Sequence, residues 1–408
     1  MPKQVAVIGA GPAGLMAAEV LVAHGLSVSV YDAMPSAGRK FLQAGRGGLN
    51  ISHSLHIDGF LHNYYEASTW LAPMVRAFDA SAIQSWMRSL GIDSFVGSSG
   101  RIFPTDKKAA PLLRAWLHRL KQSGVVFHMK HRFVGWQGHA LLLDTPTGQK
   151  TIASDAMVLA LGGASWPQLG SKGDWLDMFA RLGIEVAPFR PANCSFNVAW
   201  SEHMQQQYAG SPIKPVALVY EDAHGQSYRR QGELIFSSSG LEGGLIYGYS
   251  ALLREAIADN GPQTIQLDLL PSLSLDQVRQ KLMQAPQRLS LSNKLTTALK
   301  LSAVKVALIQ ESLKGEASKA SLKIVAERLK HYPIQLTGTG LLAEAISSAG
   351  GVKAAALDEQ LMLNAKPGVF CVGEMLDWEA PTGGYLLTAS LATARWGAQG
   401  VVSWLNRV

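Results

Sequence analysis

Cysteine is nearly absent: Cys194 and Cys371 are the only two in 408 residues. That excludes a disulfide framework and a CxxC redox pair, and leaves each as an ordinary small buried hydrophobe. Charge is sparse too, at 16% of residues, with a net formal charge of +7. No run of Lys and Arg exceeds two, and neither an RNP nor a zinc signature occurs, so a small-molecule substrate is expected rather than nucleic acid. No apolar span of ~20 residues is free of breakers. The apolar first thirty residues are interrupted by Gly9, Gly11, Pro12, Gly14, Glu19 and Gly25, which argues against a secretory leader; a cytoplasmic protein without a membrane partner is expected. Internal repeats and low-complexity tracts are also missing. What the chain does have is 47% hydrophobic residues and 40 glycines, the balance of a well-cored α/β enzyme with many tight turns.

Apolar periodicity predicts a strand over 4–10, a helix over 12–24 and a strand over 26–31, a βαβ unit in about thirty residues. A helix follows at 70–90, then a turn-rich stretch at 91–105, a helix at 107–123, a β-hairpin across 125–152 and a buried strand over 155–161. After Pro188 and Pro191 the texture changes. Strand-like segments at 213–220, 232–237 and 263–269 come without crossover helices, as in an inserted antiparallel β unit, and Ser274 to His331 reads as short helices. A strand returns at 367–373 and a final helix at 384–405. The expected organisation is a discontinuous α/β domain, 1–190 plus 355–408, around an insert whose β part is 191–273 and whose mainly helical part is 274–354.

Gly9-Ala10-Gly11-Pro12-Ala13-Gly14 is a G-x-G-x-x-G turn placed directly between strand and helix. Gly9 permits the tight turn, Gly11 lets a pyrophosphate approach the backbone, and Gly14 lets helix and strand pack closely. Asp32 ends the second strand, where its carboxylate can accept from ribose hydroxyls. Three further segments separate FAD from NAD: Gly38 to Asn50, dense in glycine and cation; Leu159 to Ser165, a strand ending in Gly162-Gly163; and Gly373-Glu374-Met375-Leu376-Asp377, followed by Gly383-Gly384-Tyr385.

Together these segments resemble the BaiN/YhiN-type family of FAD-dependent oxidoreductases, relatives of the glutathione-reductase-type flavoproteins. The resemblance spans nearly the whole chain and adds Gly100-Arg101-Ile102-Phe103-Pro104 and the stretch from Ala160 to Pro167. It implies a Rossmann-like FAD domain interrupted by a β-barrel-like domain and a small helical domain, with NADH or NADPH as reductant. Motif and resemblance together point to Gly9, Gly11, Pro12, Ala13, Gly14, Asp32, Arg39, Lys40, Gly47, Asn50, Gly162, Gly373, Glu374, Asp377, Gly383, Gly384 and Tyr385 as the cofactor set. One of Glu374 and Asp377 is expected to accept from a ribityl hydroxyl. Two departures mark a subgroup with its own acceptor: Gly47-Gly48-Leu49-Asn50 where the family usually reads G-R-C-N, and Leu386 where Asn is common after Gly-Gly-Tyr.

Gly338-Thr339-Gly340-Leu341-Leu342-Ala343 has the form G-x-G-x-x-A, but no acid-terminated strand follows as a second dinucleotide site requires. Arg101 and His53 are candidates for contact with the reacting groups; no metal site is expected. The function these signals favour is an FAD-containing oxidoreductase reduced by NAD(P)H that passes electrons to a small organic acceptor. A flavin-dependent RNA-modifying or RNA-binding protein and a flavin-bound sensor without turnover are the alternatives.

Overall fold

The computed structural model describes residues 2–313 and 321–407, and they group into two compact units: the residues up to Ala192 with those from Leu342 onward, and Asn193–Leu341.

In the first unit, β1 (Gln4–Ile8), α1 (Pro12–Ala23) and β2 (Ser27–Asp32) form the βαβ turn. A five-stranded sheet runs in the order Val369–Cys371, Ala156–Leu159, β1, β2 and β6 (Val126–Met129), every pair parallel. Covered on both faces, its central strands read as apolar runs: Val5 to Ile8 and Ala156 to Leu159 are buried throughout. The Leu159–Cys371 register places the C-terminal strand against the N-terminal sheet. Helix Tyr385–Leu405 packs on α1, and its Gly397 and Gly400 leave no room for a Cβ against Val372 and Gln360. The short α2 (Arg39–Ala44) follows β2.

Three short strands make a separate antiparallel sheet, in the order β3 (Ser52–His53), β5 (Arg101–Pro104) and β4 (Ser94–Val96). Sequence reading leaves 91–105 as turns, because strands of two to four residues are too short to show a period. The single helix expected at 70–90 is two, Ser68–Ala77 and Ala80–Ser89, with the Asp79 carboxylate accepting from the Ala82 amide at 2.9 Å as N-cap of the second. The hairpin expected at 125–152 also resolves differently. Its first strand, β6, joins the parallel sheet beside β2, and 132–137, 140–145 and 148–152 form a meander. A half-exposed edge strand alternates in polarity just as a hairpin strand does, so pattern alone cannot tell them apart.

Strand Ser347–Val352 pairs antiparallel with Val186–Ala192, and the chain therefore rejoins the first unit at Leu342, ahead of the expected 355. Its sequence, Ser-Ser-Ala-Gly-Gly-Val, has little β propensity, which hid it.

The second unit is built on a seven-stranded antiparallel sheet, in the order 332–336, 263–268, 212–221, 227–236, 240–242, 196–197 and 338–339. Contrary to the sequence reading, a helix, Ser250–Asn260, intervenes before strand 263–268. Helices Leu275–Gln284, Leu291–Leu299, Ala303–Ser312 and Leu322–Lys330 follow; residues 314–320 of the expected helical part lie outside the described residues. Lys305 is buried and donates to the carbonyls of Pro215 and Leu269 at 2.6 and 2.7 Å. Gly338–Thr339 is a two-residue strand followed by a short 3-10 turn rather than a helix, so the local G-x-G-x-x-A lacks the helix N-terminus that binds phosphates.

Candidate cofactor site

A cavity of about 590 Å³ runs through the first unit, a size within the ~300–1,000 Å³ of small-molecule sites. The βαβ turn forms one part of its wall. Gly9 has φ +105° and abuts the Ala160 carbonyl; any Cβ there, or at Gly14 against the Gly9 carbonyl, would collide with backbone. Gly11 is different: it lines the cavity, and a Cβ on it would meet nothing within 4 Å, so the open space begins at its Cα. Gly11 is also the N-cap of α1, with Pro12 in the first turn, and the first amides of α1 find no partner within the helix.

At the end of β2, the Asp32 carboxylate accepts from the Ala10 amide at 2.6 Å and from the Met34 amide at 2.7 Å. Burial raises its pKa, and those two amides with the nearby Arg39 oppose the rise. One backbone donor on each oxygen fixes the carboxylate while leaving lone pairs free toward the cavity.

From α2, Lys40 donates to Glu374 at 2.8 Å and to the Ser165 hydroxyl at 3.1 Å. Glu374 also accepts from the Ser348 amide at 3.3 Å. The glycine loop after strand Ala156–Leu159 is held from behind, with Ser171 donating to the Gly163 carbonyl at 2.7 Å and the Trp175 indole to that of Gly162 at 3.2 Å. Farther along the wall, Gly384 caps helix Tyr385–Leu405 with φ +93°, its Cα set against the backbone of Ser52. Gly383, Gly384, Leu386, Leu387 and Ser390 of this second helix N-terminus line the cavity.

Of the residues expected from sequence, Gly9, Gly11, Pro12, Ala13, Asp32, Arg39, Lys40, Asn50, Gly162, Glu374, Gly383 and Gly384 line this one cavity, and so does Arg101. The others stand elsewhere. Gly14 and Gly373 are packing glycines, Gly373 lying against Ala13. Gly47 is exposed, and its neighbour Gly48 does the lining. Asp377 faces Arg190, Lys353 and the Gly350 amide; its pKa is raised by burial, against the pull of those cations. Buried Tyr385 belongs to an aromatic cluster with Phe60, Tyr64 and His53. His53 is committed to the backbone: its Nε2–H donates to the Ser99 carbonyl at 3.0 Å, and its Nδ1 accepts from the Leu55 amide at 3.1 Å. Burial lowers its pKa, with Arg101 adding to the effect and the Ser99 bond opposing it. Wall residues that pattern reading missed include Met34, His131, Trp175 and Trp378; nothing in their local sequence marks them.

Residues 3–400 match the HI0933-like protein Rossmann domain family. The chain belongs to that family. It is the family of BaiN/YhiN-type FAD-binding proteins of oxidoreductase type, in agreement with the sequence reading. At 23% identity over 392 residues, 93% of each chain, it is similar to a protein of Haemophilus influenzae named ribosomal RNA dihydrouridine synthase. An Escherichia coli protein of the same name is 23% identical over 395 residues, again 93% of each. Among solved structures, a flavocytochrome c3 fumarate reductase in its open conformation superposes with a TM-score of 0.52 at 14% identity, covering 99% of this chain and 78% of that one. A 3-ketosteroid Δ1-dehydrogenase from Sterolibacterium denitrificans gives 0.50 at 11%, covering 98% and 100%. These two likenesses are of fold.

FAD fits the residues present. Inside the described unit, buried Arg39 Nε and Asn50 Oδ1 have no hydrogen-bond partner, a donor and an acceptor contributed by two residues of the cavity wall. Among the described residues no cluster of His, Cys, Asp and Glu could hold a metal ion, and no helix is long and apolar enough to cross a membrane.

Proposed function

We propose that the protein is an FAD-dependent oxidoreductase reduced by NADH or NADPH, with an organic acceptor. One observation carries the reading: a single cavity joins an adenosine-type acid, Asp32, to two helix N-termini and a cationic wall. When bound, the isoalloxazine supplies the two-electron chemistry. The chain's own residues bind and orient. Asp32 accepts from the adenosine ribose, the first amides of α1 meet the pyrophosphate, and Arg39 and Asn50 gain the partners they lack. Glu374, fixed by Lys40, is the acceptor for a ribityl hydroxyl. The amides opening helix Tyr385–Leu405 put partial positive charge on the cavity wall, which favours reduced, negatively charged ring states. Anaerobic mixing with each nicotinamide tests this: bleaching of the flavin's visible absorbance by one of them, followed by reoxidation by an organic acceptor, is the expected result. A flavin that neither nicotinamide reduces leaves a sensor without turnover.

A second reading takes the acceptor to be a base in RNA. The name shared by the two relatives that match over 93% of their length, together with the +7 charge, supports it. The sequence argues against nucleic acid through its lack of a basic run and of an RNP or zinc signature, but a fold can gather cations that the chain keeps apart.

A further inference from the structure

The sheet β3–β5–β4 leaves one face partly open to solvent, with His53 at one end stacked on the buried Tyr385. His53 pairs with Arg101 and Phe95 with Phe103, so these four side chains share one face, while Ile102 and Pro104 on the other are buried. Phe95 and Phe103 are thus two half-buried phenyl rings on one face, and on the other Val96, opposite Ile102, is itself exposed. The two rings stack on each other, centroids 5.7 Å apart and planes at 25°, and the Lys107 ammonium lies 5.6 Å from the Phe95 centroid. Phe103 also sits beside Gly48, and both Gly48 and Arg101 line the cofactor cavity, so the face runs to the cavity mouth.

Charge follows the same path. Arg46, Arg101, Lys107 and Lys108 are exposed, and none forms an ion pair among the described residues. The acids on the adjoining turns are Asp93 and Asp106, and the Asp106 carboxylate accepts from the Lys108 backbone amide at 3.0 Å. Flat rings with unpaired cations alongside are what a strand of bases and phosphates needs: stacking accepts any base, and Lys and Arg neutralise the phosphates.

We propose that this face docks a single-stranded segment of RNA, with Phe95 and Phe103 as the stacking platform. Arg46, Lys107 and Lys108 follow its phosphates, and Arg101 stands where the strand meets the cavity. The proposal rests on the second reading above. A nicotinamide dinucleotide offers the same chemistry on a smaller scale, but four cations, three from two loops and Arg101 from β5, spread along a partly exposed face suit a polymer better than one pyrophosphate.

The test titrates the FAD-loaded protein with a short fluorescein-labelled oligouridylate, following anisotropy over a series of salt concentrations. The wild type is expected to bind with a clear salt dependence. Lys107→Ala/Lys108→Ala should reduce the log–log salt slope by about 1.4, two contacts at ~0.7 each. Phe95→Ala should weaken binding roughly five- to a hundredfold. FAD content and the rate of reduction by nicotinamide are measured on the same samples and should stay unchanged, since none of the three residues lines the cavity. No binding by the wild type at low salt overturns the proposal, as does binding that neither variant alters. So does a nicotinamide KM raised in Phe95→Ala with RNA affinity intact, which marks the face as a dinucleotide site. A protein that nicotinamide reduces and a small acceptor reoxidises, yet that ignores the oligonucleotide, removes the docking face and keeps the flavoenzyme. One that binds RNA here but is not reduced keeps the face and removes the reductase.

Discussion

Glu374 and Asp377 look interchangeable in sequence and are not in the fold. Glu374 lines the cavity and is tied to Lys40, 334 positions away, whereas Asp377 looks toward Arg190 and Lys353. Glu374→Ala should therefore weaken FAD binding by roughly ten- to over a hundredfold, the loss of a charge-assisted bond worth ~1.5–3 kcal/mol. Asp377→Ala should leave FAD affinity within about threefold and act on stability alone. Fluorescence titration of the apoprotein with FAD, paired with thermal melts, separates the two, and equal losses of affinity would refute the distinction. His53 makes a prediction of another kind. Burial, helped by the nearby Arg101, holds the ring neutral against the opposing Ser99 bond, so its folded pKa lies below the usual ~6.5. The unfolded chain then binds the proton more readily. The stability His53 contributes is present above about pH 6.5 and is lost as pH falls through the lower folded value. Melting temperature should decline more steeply from about pH 7.5 to 5.5 in the wild type than in His53→Gln; parallel curves would show that the ring titrates freely.

Among the elements, the legible ones carried either a long period or a glycine with a reason. The βαβ turn, the buried strand before Gly162 and the final helix could all be read because Gly9, Gly14 and Gly384 stand where a Cβ would strike backbone. The small sheet could not, since its signal lies in which residues pair, and pairing is not written in a local period. The same limit explains why Gly47 was expected in the site and Gly48 is found there: both belong to one glycine pair, and only the fold says which of them turns inward. Two substitutions make the contrast measurable. Gly384→Ala drives a Cβ into the Ser52 backbone at a φ of +93° and should cost about 2–4 kcal/mol in denaturant unfolding, shifting the start of the terminal helix and lowering FAD affinity with it. Gly47→Ala meets open space and should stay within about 0.5 kcal/mol of wild type.

As a whole molecule, the purified protein should be yellow and release FAD on heating, which mass spectrometry distinguishes from FMN. Added FAD should stabilise it by about 2.7 kcal/mol at a hundredfold excess over Kd, and a melt indifferent to FAD would count against the cofactor assignment. Residues 193–341, with a sheet and a core of their own, should fold alone when excised, giving a cooperative melt and no bound flavin. The sheet order of the first unit carries a consequence for how the protein is made. Strand Ala156–Leu159 emerges from the ribosome with one edge open, and the strand that covers this edge begins at Val369, roughly 210 residues later. At ~5–20 residues per second, that edge waits about 10–40 s for its partner, while Glu374 and the helix opening at Gly384 do not yet exist. Flavin capture therefore belongs to the finished chain rather than to the nascent one, and in a cell short of flavin the product would be a complete polypeptide awaiting its cofactor.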